Sequence, residues 1–93
     1  MDLRQIALER MRILFSRAEA EFREHPELSN RYVELARKIS MRVNVSIPRE
    51  LKRRFCKDCG HYLVPGNNCR VRLGKRVRYT CLDCGRVMRY NPK

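Results

Sequence analysis

No stretch of about 18 apolar residues occurs in this 93-residue chain, which excludes a membrane-spanning helix. The N-terminus lacks the cationic, apolar and small-residue order of a secretory signal, so the expected compartment is the cytoplasm. Room for a core is also short: 93 residues suffice for one domain, or for a small module with a helical arm, and such a core is marginal unless something staples it. Acidic residues are scarce where the chain is most basic, with only Glu50, Asp58 and Asp83 beyond residue 41. Metal-assisted hydrolysis needs an open metal or convergent carboxylates, so this scarcity argues against a protein-only nuclease.

The net charge of +12 is unevenly spread. Residues 1–41 carry eight Arg and Lys against seven Asp and Glu, an excess of +1; residues 42–93 carry fourteen against three, an excess of +11. A nearly neutral arm followed by a basic half implies two jobs, with a polyanion as the natural partner of the second. Three segments are expected: a helical hairpin over 1–41, a basic linker with a short helix over 42–55, and a basic, cysteine-bearing module over 56–93.

Asp2 followed three residues later by Gln5 fits a capping box, and Leu3, Ile6, Ala7, Met11, Leu14, Ala18 and Phe22 keep helical spacing, with Ile13 and Phe15 widening the stripe. The helix is expected to end near His25, to which no function is assigned. Pro26 suits the first turn of a second helix, whose stripe is Leu28, Tyr32, Leu35, Ala36 and Ile39. Two helices cannot enclose all of this apolar surface. The remaining face therefore packs on another chain or, in the plainer alternative, on the protein's own ribbon.

In the linker, Ser46 is a plausible helix cap ahead of Pro48, and the segment through Arg54 predicts a short helical turn. Arg49, Lys52, Arg53 and Arg54 offer a basic edge to phosphates, or simply a solvated face.

The sharpest signal is a repeated element, Cys56-Lys57-Asp58-Cys59-Gly60 and Cys81-Leu82-Asp83-Cys84-Gly85. In a reducing cytosol such pairs are metal ligands rather than disulfides. Each reads as a zinc knuckle, a tight turn that aims two sulfurs inward while glycine lets the backbone turn back. The 21 intervening residues slightly exceed the common spacing of about 15–20, leaving room for strands that carry the knuckles together. Four thiolates leave no open position for water, so one structural Zn2+ is expected; iron in the same pocket or a redox dithiol are the alternatives. Cys69 has no Cys-x-x-Cys partner and reads as a small half-buried residue. His61, beside the first knuckle, reads as an RNA contact or a hydrogen-bond donor near a sulfur rather than a ligand.

Between the knuckles, arginine alternates with apolar residues in Arg70-Val71-Arg72-Leu73 and Arg76-Val77-Arg78-Tyr79, around Gly74-Lys75. With an odd loop, Arg70, Arg72, Arg76 and Arg78 share one face and Val71 and Val77 the other. A third strand is expected over residues 86–90. Opposed cations repel, which stability alone does not explain and a polyanion would relieve. Arginine suits bidentate phosphate pairing or base stacking, and Tyr62, Tyr79 and Tyr90 are either stacking platforms or core filler. The fold class is thus a small α+β zinc-binding protein, an N-terminal two-helix arm followed by a three-stranded antiparallel zinc ribbon.

The order of parts resembles the archaeal ribonuclease P protein component 4 family. The resemblance rests on the two-helix arm, Ile47-Pro48-Arg49-Glu50-Leu51-Lys52-Arg53-Arg54-Phe55-Cys56, Pro65-Gly66-Asn67-Asn68-Cys69-Arg70-Val71-Arg72 and the second knuckle. It implies zinc on Cys56, Cys59, Cys81 and Cys84. It also implies pairing of the arm, through Leu14, Phe15, Ala18, Phe22, Tyr32, Leu35 and Ile39, with ribonuclease P protein component 1. The arginine face would then contact the specificity domain of the RNase P RNA. Catalysis would belong to that RNA, which removes the 5′ leader from precursor tRNA, with no catalytic residue in this chain. A ribosomal or transcription-related zinc ribbon is the alternative.

Overall fold

The computed structural model describes residues 2–90, so the last three residues of the expected ribbon lie outside the described residues. The order is α1 (Leu3–Glu21), α2 (Pro26–Val43), α3 (Arg49–Lys52), β1 (Cys69–Arg72), β2 (Val77–Cys81) and β3 (Val87–Tyr90). The strands form one antiparallel sheet in the order β1-β2-β3. Among the described residues no helix is long and apolar enough to cross a membrane.

Local chemistry sets the helix limits. The Asp2 carboxylate accepts a hydrogen bond from the Gln5 N–H at 2.9 Å, satisfying a free donor of the first turn of α1. This helix stops at Glu21, short of His25, which instead occupies the cap position of α2 ahead of Pro26. α2 ends when Asn44 takes the left-handed conformation at φ 58° and its N–H reaches the Ser40 carbonyl. The Ser40 hydroxyl donates to the Val45 carbonyl at 2.6 Å and holds the exit of the chain. Ser46 caps nothing: α3 has Pro48 at its cap position and no side-chain cap bond. A residue before proline is driven to extended backbone, so Ile47 bars a helix from starting at Ser46.

The arm packs mainly in cis. Ala7, Met11, Phe15 and Ala18 of α1 meet Ser29, Val33 and Ala36 of α2, and Ile47, Leu51, Phe55 and Tyr62 complete the cluster from the linker and first knuckle. Phe15 and Ala18, expected on the partner face, are therefore core residues at 1% and 0% exposure. Phe15 lies under the junction, its ring 5.8 Å from that of Phe55. Phe22, also expected there, is half-buried with its ring 5.9 Å from Tyr62. The buried line of α2 runs Ser29–Val33–Ala36: Ala36 is buried as expected, whereas Ser29 and Val33 take the places expected of Leu28 and Tyr32, and Leu28 is exposed. Ser29 can sit at the closest approach of the helices because it is small and its hydroxyl donates to the Ala18 carbonyl at 2.5 Å.

Polar contacts also seat the arm on the ribbon. Asn30 Oδ1 accepts the Tyr62 N–H at 2.9 Å, and the Arg37 guanidinium reaches the Lys57 carbonyl at 3.5 Å. The same guanidinium lies 5.4 Å from the centre of the Phe55 ring. A second, smaller core of Cys56, Leu63, Cys69, Cys81 and Met88 lies beneath the sheet. Phe15→Ala should lower unfolding stability by about 3–5 kcal/mol, since the cavity lies between rigid elements. Ile13→Ala, on the exposed side of the same helix, should change it by no more than about 0.5 kcal/mol, both read from urea unfolding of the metal-loaded chain.

Candidate metal centre and nucleic-acid interface

The two knuckles are built from the same hydrogen bonds. In the first, Gly60 N–H donates to the Cys56 carbonyl and Cys56 N–H to the His61 carbonyl, at 2.9 and 3.0 Å. In the second, Gly85 N–H donates to the Cys81 carbonyl and Cys81 N–H to the Arg86 carbonyl, at 2.8 and 2.9 Å. Both turns need a left-handed residue after the second cysteine, and Gly60 and Gly85 supply it at φ +75° and +82°.

The sulfurs of Cys56, Cys59, Cys81 and Cys84 all lie within 4.8 Å of one another, with Cys56–Cys84 at 3.5 Å and Cys59–Cys81 at 3.7 Å. A tetrahedral ion with metal–sulfur bonds of about 2.3 Å sets its sulfurs about 3.8 Å apart, so the cluster fits such an ion. The four cysteines are thus positioned to hold a metal ion, and an all-thiolate donor set is compatible with zinc. Cys69, buried beneath the sheet, is not one of them.

The thiols differ in how readily they ionise. Burial pushes the Cys56 thiol up, but the N–H groups of Cys59 and Asp58 and the neighbouring thiols of Cys84 and Cys59 outweigh it and bring the pKa down to about 7. Burial dominates at Cys59, which is pushed up to about 12 despite the His61 N–H, with the sulfurs of Cys56, Cys81 and Cys84 adding to the rise. At Cys84 the Arg86 N–H favours the thiolate, yet lost hydration and the sulfurs of Cys56 and Cys81 raise the pKa. Burial also raises Cys69. Four negative sulfurs this close are mutually repulsive, and a divalent cation at their centre removes that cost.

On the open face of the sheet the register pairs Arg72 with Arg78 and Arg78 with Arg89, while Arg70 pairs with Thr80. Three arginines therefore stand in one row across all three strands, spanning about 10 Å at the usual strand spacing. All three are exposed, as is Arg70. Five residues separate the paired Arg72 and Arg78, so the loop is odd, and Arg76 lies in it beside Lys75 and Leu73. Arg89 was missed because the third strand carries only one arginine within its paired span, and its alignment depends on register. In the linker, Arg49 and Lys52 are exposed, whereas Arg53 and Arg54 are half-buried, and Arg53 stacks 4.9 Å from the centre of the Tyr90 ring. Tyr79 meets Tyr90 edge to face at 5.4 Å, and Tyr62 is buried at 4% exposure, so Tyr62 is core rather than a stacking platform.

Of the seven residues expected to meet a partner, Leu14, Phe22, Tyr32, Leu35 and Ile39 are half-buried. Leu14, Leu35 and Ile39, with the exposed Ile13 and Met41, line a groove of about 810 Å³ between α1 and α2, edged by Arg10, Arg17, Lys38 and Arg42.

A helical hairpin seated on a three-stranded ribbon, with four cysteine sulfurs placed to hold a metal ion, defines a small protein of the zinc-ribbon class. The family model for the RNAse P Rpr2/Rpp21/SNM1 subunit domain matches residues 10–85, and the chain belongs to that family. Ribonuclease P protein component 4 of Methanobrevibacter smithii is 54% identical over 86 residues, covering 91% of this chain and 71% of the relative. The protein of the same name from Pyrococcus furiosus is 50% identical over 93 residues, covering 96% and 80%. Among solved structures, a chain in the cryo-EM structure of archaeal Ribonuclease P with mature tRNA superimposes with a TM-score of 0.91 at 42% identity, covering 98% of this chain and 80% of that one. Pfu Rpp21 superimposes with a TM-score of 0.61 at 49% identity, covering 88% and 94%.

Cys84→Ser should abolish binding of one divalent metal in native mass spectrometry and expose the amides of β1 to β3 to rapid hydrogen exchange. Cys69→Ala should leave both unchanged.

Proposed function

We propose that the chain is a non-catalytic protein subunit of RNase P that folds around one structural Zn2+, binds the specificity domain of the RNase P RNA through its sheet, and pairs through its arm with protein component 1. The subunit role rests on family membership and on the likeness to a chain of an archaeal RNase P. The single observation that carries the RNA reading is the row Arg72–Arg78–Arg89, with Arg70 beside it: like charges opposed on a sheet are destabilising unless an anion lies across them. Lys75 and Arg76 at the hairpin tip, and Arg49 and Lys52 in the linker, extend this basic surface; Arg53 and Arg54 contribute through packing as well as charge.

A supporting role in cleavage agrees with where the carboxylates lie. Glu50 pairs with Arg12 at 3.7 Å, Asp58 with Arg86 at 3.3 Å and Asp83 with His61 at 2.9 Å, so among the described residues of the basic half no two side-chain carboxylates share a partner. Leu14, Leu35 and Ile39, together with Ile13 and Met41, form the surface offered to the protein partner. The basic rim of that groove suits a partner with acidic residues around an apolar centre. The five free cysteines suit a reducing cytoplasm, where the subunit would act on precursor tRNA only as part of its ribonucleoprotein.

Precursor-tRNA cleavage by reconstituted RNase P RNA and protein component 1 at limiting magnesium should rise on adding this chain. No rise with competent RNA and partner would favour a ribosomal or transcriptional zinc ribbon. Replacing Arg72, Arg78 and Arg89 together by alanine should flatten the dependence of log affinity for the RNA on log salt by roughly two to three units, with metal content unchanged. Ile39→Asp should weaken association with protein component 1 in a mixing experiment and leave RNA affinity unaltered.

A further inference from the structure

The repeat that relates the two knuckles extends beyond their ligands. Asp58 and Asp83 each stand two residues after the first cysteine of a knuckle, and His61 and Arg86 each stand five residues after it. The backbone carbonyls of His61 and Arg86 close their own turns, but the side chains do not stay there. They cross over: His61 Nδ1 lies 2.9 Å from Asp83 Oδ2, and Arg86 Nη1 lies 3.3 Å from Asp58 Oδ1. Two chemically different donors at equivalent positions thus reach equivalent carboxylates on the opposite knuckle.

We infer that these crossed pairs form a latch that keeps the two knuckles closed on the metal and slows its release. The inference rests on the metal reading above. Each knuckle supplies two of the four sulfurs, so the ion cannot leave until the knuckles part, and parting breaks both crossed contacts. Stability alone gives the pairs little purpose. All four side chains are 42–60% exposed, and one such pair shifts an equilibrium only about twofold. Two contacts that must both open before one event multiply in its rate. The carboxylates also add negative charge beside an already anionic metal–thiolate cluster, which is unfavourable unless each is covered by its donor. Cutting Arg86 alone should therefore do more harm than cutting Arg86 and Asp58 together.

The full chain carrying one equivalent of zinc is mixed with excess chromogenic chelator, and the rate of zinc transfer is followed. Asp58→Asn with Asp83→Asn should release zinc about fivefold faster at low salt, from the product of two exposed contacts. Arg86→Gln should release it faster than Arg86→Gln with Asp58→Asn, and the exchanged pair, Asp58→Arg with Arg86→Asp, should return toward the original rate. The cobalt-substituted chain reports the ligand set independently: its absorption should be the same in all variants. Unchanged release from the double asparagine variant, with that absorption intact, overturns the latch but not the metal site. A parent chain that takes up no zinc or cobalt overturns both.

Discussion

Four sulfurs confined within 4.8 Å are the constraint on which the rest of this protein depends. Without a cation they repel once ionised, and with one they convert two separate turns into a single rigid point. The sheet hangs from that point. β1 starts at Cys69, directly opposite Cys81, so the register that aligns the arginines continues from the first cysteine of the second knuckle. The core beneath the sheet is small, and two of its five buried residues, Cys56 and Cys81, belong to the four-cysteine cluster itself. A metal-free ribbon would lose its anchor and much of its interior together.

The arm depends on the ribbon less directly, and its sequence shows where the dependence lies. α1 and α2 close on a narrow seam of small residues, Ala18, Ser29 and Ala36, filled by Met11, Phe15 and Val33. That seam does not end at the helices: Phe55 and Tyr62, which flank the first knuckle, complete it. The flattened shape, with extents of 40, 32 and 19 Å, leaves little thickness for any element to be self-sufficient.

Much of this was legible in the sequence because it depends on local chemistry. The Asp2 cap, the proline start of α2, the paired Cys-x-x-Cys-Gly turns and the parity that puts Arg70, Arg72 and Arg78 together follow from short-range rules. What stayed hidden depends on contacts distant in sequence. Phe15 looked like surplus apolar surface because nothing nearby shows that Phe55 will cover it. Ser29 reads as polar until the Ala18 carbonyl comes within reach, and with Ser29 set aside the stripe through Leu28 and Tyr32 hides the one through Val33. Ser46 looked like a cap because its type outweighed the restriction that Pro48 places on Ile47. The partners of Asp58 and Asp83 lie 28 and 22 residues away, beyond any pattern in the chain.

The place of Arg37 bears on how damage to this protein would be interpreted. Its guanidinium lies over the Phe55 ring and beside Gly60, where an added Cβ would come within 3.3 Å of Nη1. A substitution at Gly60 therefore strains the turn and also presses on the tip of Arg37, which must give by a few tenths of an ångström. The two effects add at one residue: the turn that carries Cys56 and Cys59 and the side chain that reaches from α2 to Lys57 would be disturbed by the same inherited change.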